Sequence, residues 1–185
     1  MRSPLLLIIS GPPGSGKTTL GRRLASELWL PFVYKDGIKE RLFDTLGWRD
    51  RAWSQQLGIA TYELLYYFLE VQLAAGCSQI IESNFAAEFA TQRFLLLKEQ
   101  YSFRPCQLMC RTQGEVLLAR FKLRAEDGSR HPGHVDQLTY GELEAGLLKG
   151  RLEPLAIPGE VIEVDTTDFD SIDYGGLMQQ IRALL

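Results

Sequence analysis

Apolar positions along this 185-residue chain follow two alternating rhythms. Short unbroken runs, of which Leu5-Leu6-Leu7-Ile8-Ile9-Ser10 is the clearest, alternate with longer stretches whose apolar residues recur every three or four positions, as in Leu20, Leu24 and Leu28. Unbroken runs read as strands buried on both faces, and the wider spacing reads as helices with one face in a core. The pattern predicts strands over 5–10, 31–35, 79–83, 105–110 and 161–166, with helices over 17–30, 38–46, 54–75, 86–100, 115–126, 141–149 and 171–185. Strands alternating with helices predict a three-layer α/β/α domain around a five-stranded parallel sheet, spanning residues 1–185, with right-handed crossovers. Residues 127–140 are polar and turn-rich; inside one domain they read as a lid. The helix over 54–75 carries Trp53 just ahead of it, then Tyr62, Tyr66, Tyr67 and Phe68; it is apolar on more than one face, so most of these rings belong to the core, with some tyrosines available to a substrate pocket.

Ligands in such sheets bind at the carboxyl ends of the strands. The segment leaving the first strand is Gly11-Pro12-Pro13-Gly14-Ser15-Gly16-Lys17-Thr18, which fits G-x-x-x-x-G-K-[ST]. Glycines let the backbone curl until several N–H groups point at one anion, and the following helix adds its positive dipole end. Lys17 reaches the terminal phosphates of a nucleoside triphosphate, and the Thr18 hydroxyl ligates Mg²⁺. Strand, glycine loop and helix in that order make Gly11, Pro13, Gly14, Ser15, Gly16, Lys17, Thr18 and Thr19 the expected nucleotide contacts.

Further residues are predicted at the same sheet edge. Asp36 ends the second strand, where a carboxylate can accept a proton from an attacking hydroxyl or cap the helix that follows. Lys39 follows a turn later, positioned to steady an anion, and Arg41 reads more readily as a solvated helix position. Glu82 and Asn84 close the third strand and share one side of it; they are candidate substrate contacts, and Glu82 with Thr18 is the candidate metal pair. Arg120 and Arg124 lie four apart on one helical face, which favours an anion or solvent between them. Arg130 in the lid is placed to spread charge on a moving phosphoryl group. His131 and His134 have zinc-like spacing without a third ligand and read as a lid turn. Arg111 either faces the site or is solvated.

The glycine loop together with Lys35-Asp36-Gly37-Ile38-Lys39 and Ile81-Glu82-Ser83-Asn84-Phe85 resembles the P-loop kinases related to zeta toxins, chloramphenicol phosphotransferase and the kinase domain of phage polynucleotide kinase. The resemblance covers most of the chain. It implies strand order 2-3-1-4-5, ATP with Mg²⁺, and transfer of the γ-phosphoryl group to a hydroxyl of a small molecule, with Lys17, Asp36, Arg124 and Arg130 catalytic. Lys39 stands where relatives often carry arginine. The segment around Arg120 and Arg124 resembles nucleoside-monophosphate kinases, which implies that Arg120 stacks on adenine, that Arg124 contacts phosphates, and that Thr167 lies near the base. ATP is favoured over GTP by the same resemblance. Rival expectations are a nucleotide-dependent ATPase or switch, which needs no base on the second strand, and a 5′-hydroxyl nucleic-acid kinase.

Composition narrows the partners. Twenty basic and 23 acidic residues give a net charge of −3, without the basic footprint of a duplex-binding protein. Arg2 and the run behind it resemble a signal peptide, but the run is shorter than an h-region and leads straight into the glycine loop. No apolar stretch reaches membrane-span length. Cys77, Cys106 and Cys110 lack ligand spacing, and the chain is expected to be cytoplasmic with reduced cysteines.

Overall fold

A computed structural model describes residues 3–185, the side chains of 138–140 excepted; Arg2 therefore lies outside the described residues. The strands are β1 (Leu5–Ser10), β2 (Phe32–Tyr34), β3 (Gln79–Glu82), β4 (Arg104–Arg111) and β5 (Glu160–Asp165). They form one parallel sheet in the order β2-β3-β1-β4-β5. The helices are α1 (Lys17–Leu28), α2 (Lys35–Leu46), α3 (Arg51–Ala74), α4 (Ala87–Gln100), α5 (Gly114–Glu126), α6 (Tyr140–Leu148) and α7 (Tyr174–Leu184).

The unbroken apolar run of β1 is explained by two cores. Leu5, Leu7 and Ile9 pack on one face with Leu20, Leu24 and Ile181. Leu6 and Ile8 pack on the other with Leu65, Leu69, Phe94 and Phe103. Alternate side chains on a strand point to opposite faces, so a strand with helices on both sides favours apolar residues at successive positions. Paired to β3 on one side and β4 on the other, β1 delivers its carboxyl end, and the glycine loop after it, to the middle of one sheet edge.

The element boundaries differ from the sequence expectation mainly around β2. Only Phe32–Tyr34 pair with β3, and the helix begins at Lys35 with Tyr34 as its extended N-cap. Asp36 therefore does not end a strand and does not cap the helix. It sits in the first turn of α2, where the helix dipole favours a carboxylate. α3 starts three residues early because Asp50 caps it, accepting from the Trp53 N–H at 2.8 Å.

Residues 127–140 contain two 3₁₀ turns, Pro132–His134 and Asp136–Thr139. The first is seated on α2: the Phe43 ring stacks on His131 at 5.1 Å and meets His134 edge-on at 5.4 Å. Trp48 lies edge-on to the same His131 ring at 6.5 Å. Gly133 is required there, since a Cβ would lie 2.7 Å from the Phe43 ring.

One buried amide holds the long connection before β5. Gln107 in β4 donates to the Leu155 carbonyl at 3.0 Å and accepts from the Leu155 N–H at 2.7 Å. Gln107→Met would leave both backbone groups buried and unpaired. We expect a loss of about 2–4 kcal/mol, a drop in Tm on the order of 5–15 °C, measured by thermal unfolding.

Candidate active site

The carboxyl ends of β1 and β3 open into a cleft of about 440 Å³ walled by the glycine loop, α2, α5 and the segment carrying Arg130, His134 and Asp136. Its floor is built by local backbone geometry. Gly14 and Gly16 take φ values of 82° and 79°, which side chains resist, and Gly16 is also the N-cap of α1. A Cβ on Gly16 would meet the Phe169 ring at 2.0 Å. Lys17, the first residue of α1, is buried and donates to the Pro12 carbonyl at 2.8 Å. Burial lowers its pKa against the opposing pull of Glu82. The Ser15 hydroxyl is buried without a partner among the described residues.

Beside this floor, the Thr18 hydroxyl donates to Glu82 Oε2 at 2.6 Å. Burial raises the Glu82 pKa, while Lys17 and the Thr18 hydrogen bond oppose the rise. A hydroxyl and a buried carboxylate in contact are hard oxygen donors of the kind Mg²⁺ takes alongside phosphate oxygens. The residues present thus fit the metal that the loop motif implies. Among the described residues no group of three His, Cys, Asp or Glu side chains makes an all-protein metal site.

The far wall is an ion network centred on Arg130. Its Nη1 donates to Asp36 Oδ2 at 2.7 Å and its Nε to Asp136 Oδ2 at 3.0 Å, with Glu40 at 3.7 Å. Its Nη2 meets His134 Nδ1 at 3.0 Å, and His134 Nε2 meets Glu40 Oε1 at 3.0 Å. Burial alone would raise the Asp36 pKa, but the guanidinium and Lys35 outweigh it and hold the carboxyl well below the usual range. Burial lowers the pKa of His134. Lys39 is buried between α2 and α3, donating to the Ser54 hydroxyl at 2.9 Å. Desolvation, with Lys35 adding, brings its pKa down to about 8.

The cleft brings together Pro13, Gly14, Gly16, Lys17, Thr18, Thr19, Asp36, Lys39, Glu82, Asn84, Arg120, Arg124 and Arg130 from the residues expected in the sequence. Gly11 and Ser15 belong to the loop without lining the cleft; a Cβ on Gly11 would strike the Cys110 carbonyl at 2.6 Å. Arg124 keeps its Nε buried without a partner among the described residues, close enough to Arg130 for the two charges to disfavour each other. Arg120 is engaged differently from a free stacking group. Its two Nη atoms donate to the Thr166 and Thr167 carbonyls, both at 2.7 Å, and its guanidinium lies 4.9 Å from the Phe169 ring centroid. Thr167 turns to the neighbouring hollow, its hydroxyl accepting from the Gln113 N–H at 2.9 Å. Arg111 pairs with Asp165 and Glu163 and does not line the cleft.

Several cleft residues carry no signal of their own in the sequence. Phe169, Asp136 and Leu143 line it through tertiary placement alone, and Lys35 joins them from the run that carries the resemblance. Asp136 lay within the polar stretch already read as a lid, and Lys35 within the run around Asp36.

A family described as AAA domain matches residues 6–145 of this chain. A solved structure of a candidate kinase from Chloroflexus aurantiacus is 39% identical over the full length of both chains, with a TM-score of 0.92. The PezAT toxin–antitoxin structure of Streptococcus pneumoniae aligns with a TM-score of 0.51 at 16% identity, covering 94% of this chain and 72% of the other, a likeness of fold. A cytidylate kinase of Ignicoccus hospitalis is 48% identical over 42 residues, so the match spans about a quarter of each, 23% and 24%.

The Arg130 network sets a pH signature. A depressed Asp36 pKa contributes stability that is fully present above the unfolded value of about 4 and is lost as pH falls toward the folded value. Arg130→Met should cost about 2 kcal/mol at pH 7, discounted for partial exposure, and the gap to the wild type should shrink below about pH 4. Denaturant unfolding at pH 7 and pH 3 measures both values; an equal gap at the two pH values contradicts the pairing.

Proposed function

The chain belongs to the AAA domain family, with a kinase-like P-loop fold, and from that premise we propose that it moves the γ-phosphoryl group of Mg²⁺-ATP to a hydroxyl of a small molecule. One observation carries this reading. The carboxylate of Asp36 and the cations Lys17, Arg124 and Arg130 line one cleft, beside the Thr18–Glu82 pair. A protein that only binds nucleotide as a switch needs no shielded carboxylate opposite the glycine loop, whereas transfer to an alcohol needs a proton acceptor there.

In this reading the loop backbone and Lys17 bind the triphosphate, with Ser15 supplying a buried hydroxyl behind it. Thr18 and Glu82 would hold Mg²⁺, which neutralises phosphate charge when bound. Arg120 and Phe169 form the wall available to the base. Asp36 takes the proton of the acceptor hydroxyl. For that it must be freed from Arg130, and the guanidinium gains an alternative partner in the phosphoryl group. Arg130 thus ties exposure of the base to an occupied phosphate site. Arg124 satisfies its buried nitrogen on the same phosphates. Lys39, Asn84 and Glu82 border the space left for the acceptor, and the seated lid excludes water, the competing acceptor.

The direct test is transfer from γ-labelled ATP with Mg²⁺ across sugars, nucleosides, aminoglycosides, phenicols and 5′-hydroxyl oligonucleotides. Lys17→Ala and Asp36→Asn should each cut transfer by about a thousandfold or more, but only the first should strongly weaken ATP binding. Undiminished turnover in Asp36→Asn removes the base assignment. A separate pH effect follows from Lys39, which carries its charge below about pH 8 and loses it above. The KM of the acceptor should rise as pH passes that value, and Lys39→Met should flatten the rise. A profile identical to the wild type excludes Lys39 from acceptor binding.

A further inference from the structure

A second hollow, of about 280 Å³, opens beside the cleft and has no part in the chemistry described so far. Asn84 lines both. Ser83 lines the cleft, and its hydroxyl donates at 2.8 Å to Tyr62 Oη, while Tyr62 lines the hollow. Lys35, on the cleft wall next to Asp36, lies 5.7 Å from the Tyr62 ring centroid. The two spaces thus share a wall at Ser83, Asn84 and Tyr62, just past the end of β3.

The character of the hollow is unlike that of the cleft. Its walls are aromatic, from Tyr62, Tyr66, Phe85 and Phe89, and it is lined by no Asp, Glu, Lys or Arg. Burial pushes the Tyr66 hydroxyl up to about 12, so it stays neutral. Phe85 is core-packed, edge-on to Phe94 at 5.2 Å, whereas Phe89 stands 79% exposed at the first turn of α4. An aromatic ring left in water beside an apolar hollow marks a surface that gains from being covered. A cavity of about 150 Å³ suffices for benzene, so this one holds a ring with room for a substituent.

We propose that the hollow receives a flat, uncharged ring carried by the phosphoryl acceptor, an aryl group or a nucleobase, with Asn84 hydrogen-bonding its polar edge and the acceptor's hydroxyl reaching toward Asp36. This rests on the phosphotransfer reading for the fate of the hydroxyl, but ring binding itself does not. Aromatic walls offer stacking and edge-to-face contacts that a small polyol cannot use. A neutral lining leaves the charge of the site to Lys35, Lys39 and Arg130 in the cleft.

The test measures binding and transfer separately. Protein carrying ¹³C-methyl alanine is titrated with 2-phenylethanol, uridine and glycerol while the Ala86 and Ala90 methyl signals are followed. The ring alcohols should shift both methyls, and glycerol should shift neither. A response to 2-phenylethanol alone or uridine alone identifies the ring as aryl or nucleobase. Phe89→Ala, at a solvent-facing position that folding tolerates, should weaken ring binding about tenfold, and Phe89→Tyr should retain it. Glycerol binding as tightly as either ring alcohol, or Phe89→Ala binding them like the wild type, overturns the proposal and leaves the kinase reading intact. Shifts at both methyls without phosphorylated product from either bound alcohol would support the ring site and overturn its assignment to the phosphoryl acceptor, leaving the kinase reading to the transfer panel.

Discussion

Everything in this fold hangs on a strand that has no free side. β1 is hydrogen-bonded to β3 and β4 at its edges and covered by a separate core on each face. Such a strand has little freedom to shift, because a slip of one residue would exchange the two cores. Its end is therefore a fixed point in the molecule. The glycine loop, which carries few side chains of its own to hold it, borrows that rigidity, and so do Lys17 and Thr18 at the start of α1. A phosphate site made mostly of backbone needs a foundation of this kind.

The opposite wall of the cleft is held by charge rather than by packing. Arg130 reaches from the lid to carboxylates on α2 and within the lid itself, so one guanidinium fastens the lid to the helix that carries Asp36. Phe43 backs the same junction from below with two histidine rings. The site is thereby split into a rigid phosphate half and an electrostatically latched half. One half is joined by ion pairs, and the other by buried hydrocarbon.

What the sequence disclosed follows the same division. The glycine loop was legible because backbone chemistry demands contiguous residues at fixed spacing, and the strand order followed from the resemblance that loop carries. Asp36, Glu82 and Arg124 were legible as charged residues beside elements bound for one sheet edge. The Arg130–Asp36 pair was not, since 94 residues separate the partners and each reads by itself toward the acceptor or the phosphates rather than toward the other. Asp36 was misplaced at a strand end because β2 is only three residues long and α2 begins directly after it, at Lys35. Phe169 escaped notice because its role is to fill the space that Gly16 leaves. The aromatic hollow was only half visible: α3 is apolar on several faces, and nothing in its spacing separates Tyr62, on a pocket wall, from Tyr67, exposed to solvent.

The indole of Trp48 lies against the lid through His131, while Trp29 projects into water at 91% exposure on the far end of α1. The molecule therefore carries its own optical gauge. Emission from Trp48 is sensitive to an imidazole at its edge, while Trp29, exposed to solvent, and Trp53, hydrogen-bonded to the Gly47 carbonyl, supply the background. Any change in how His131 sits against α2 would be read in the intrinsic fluorescence of the unlabelled chain.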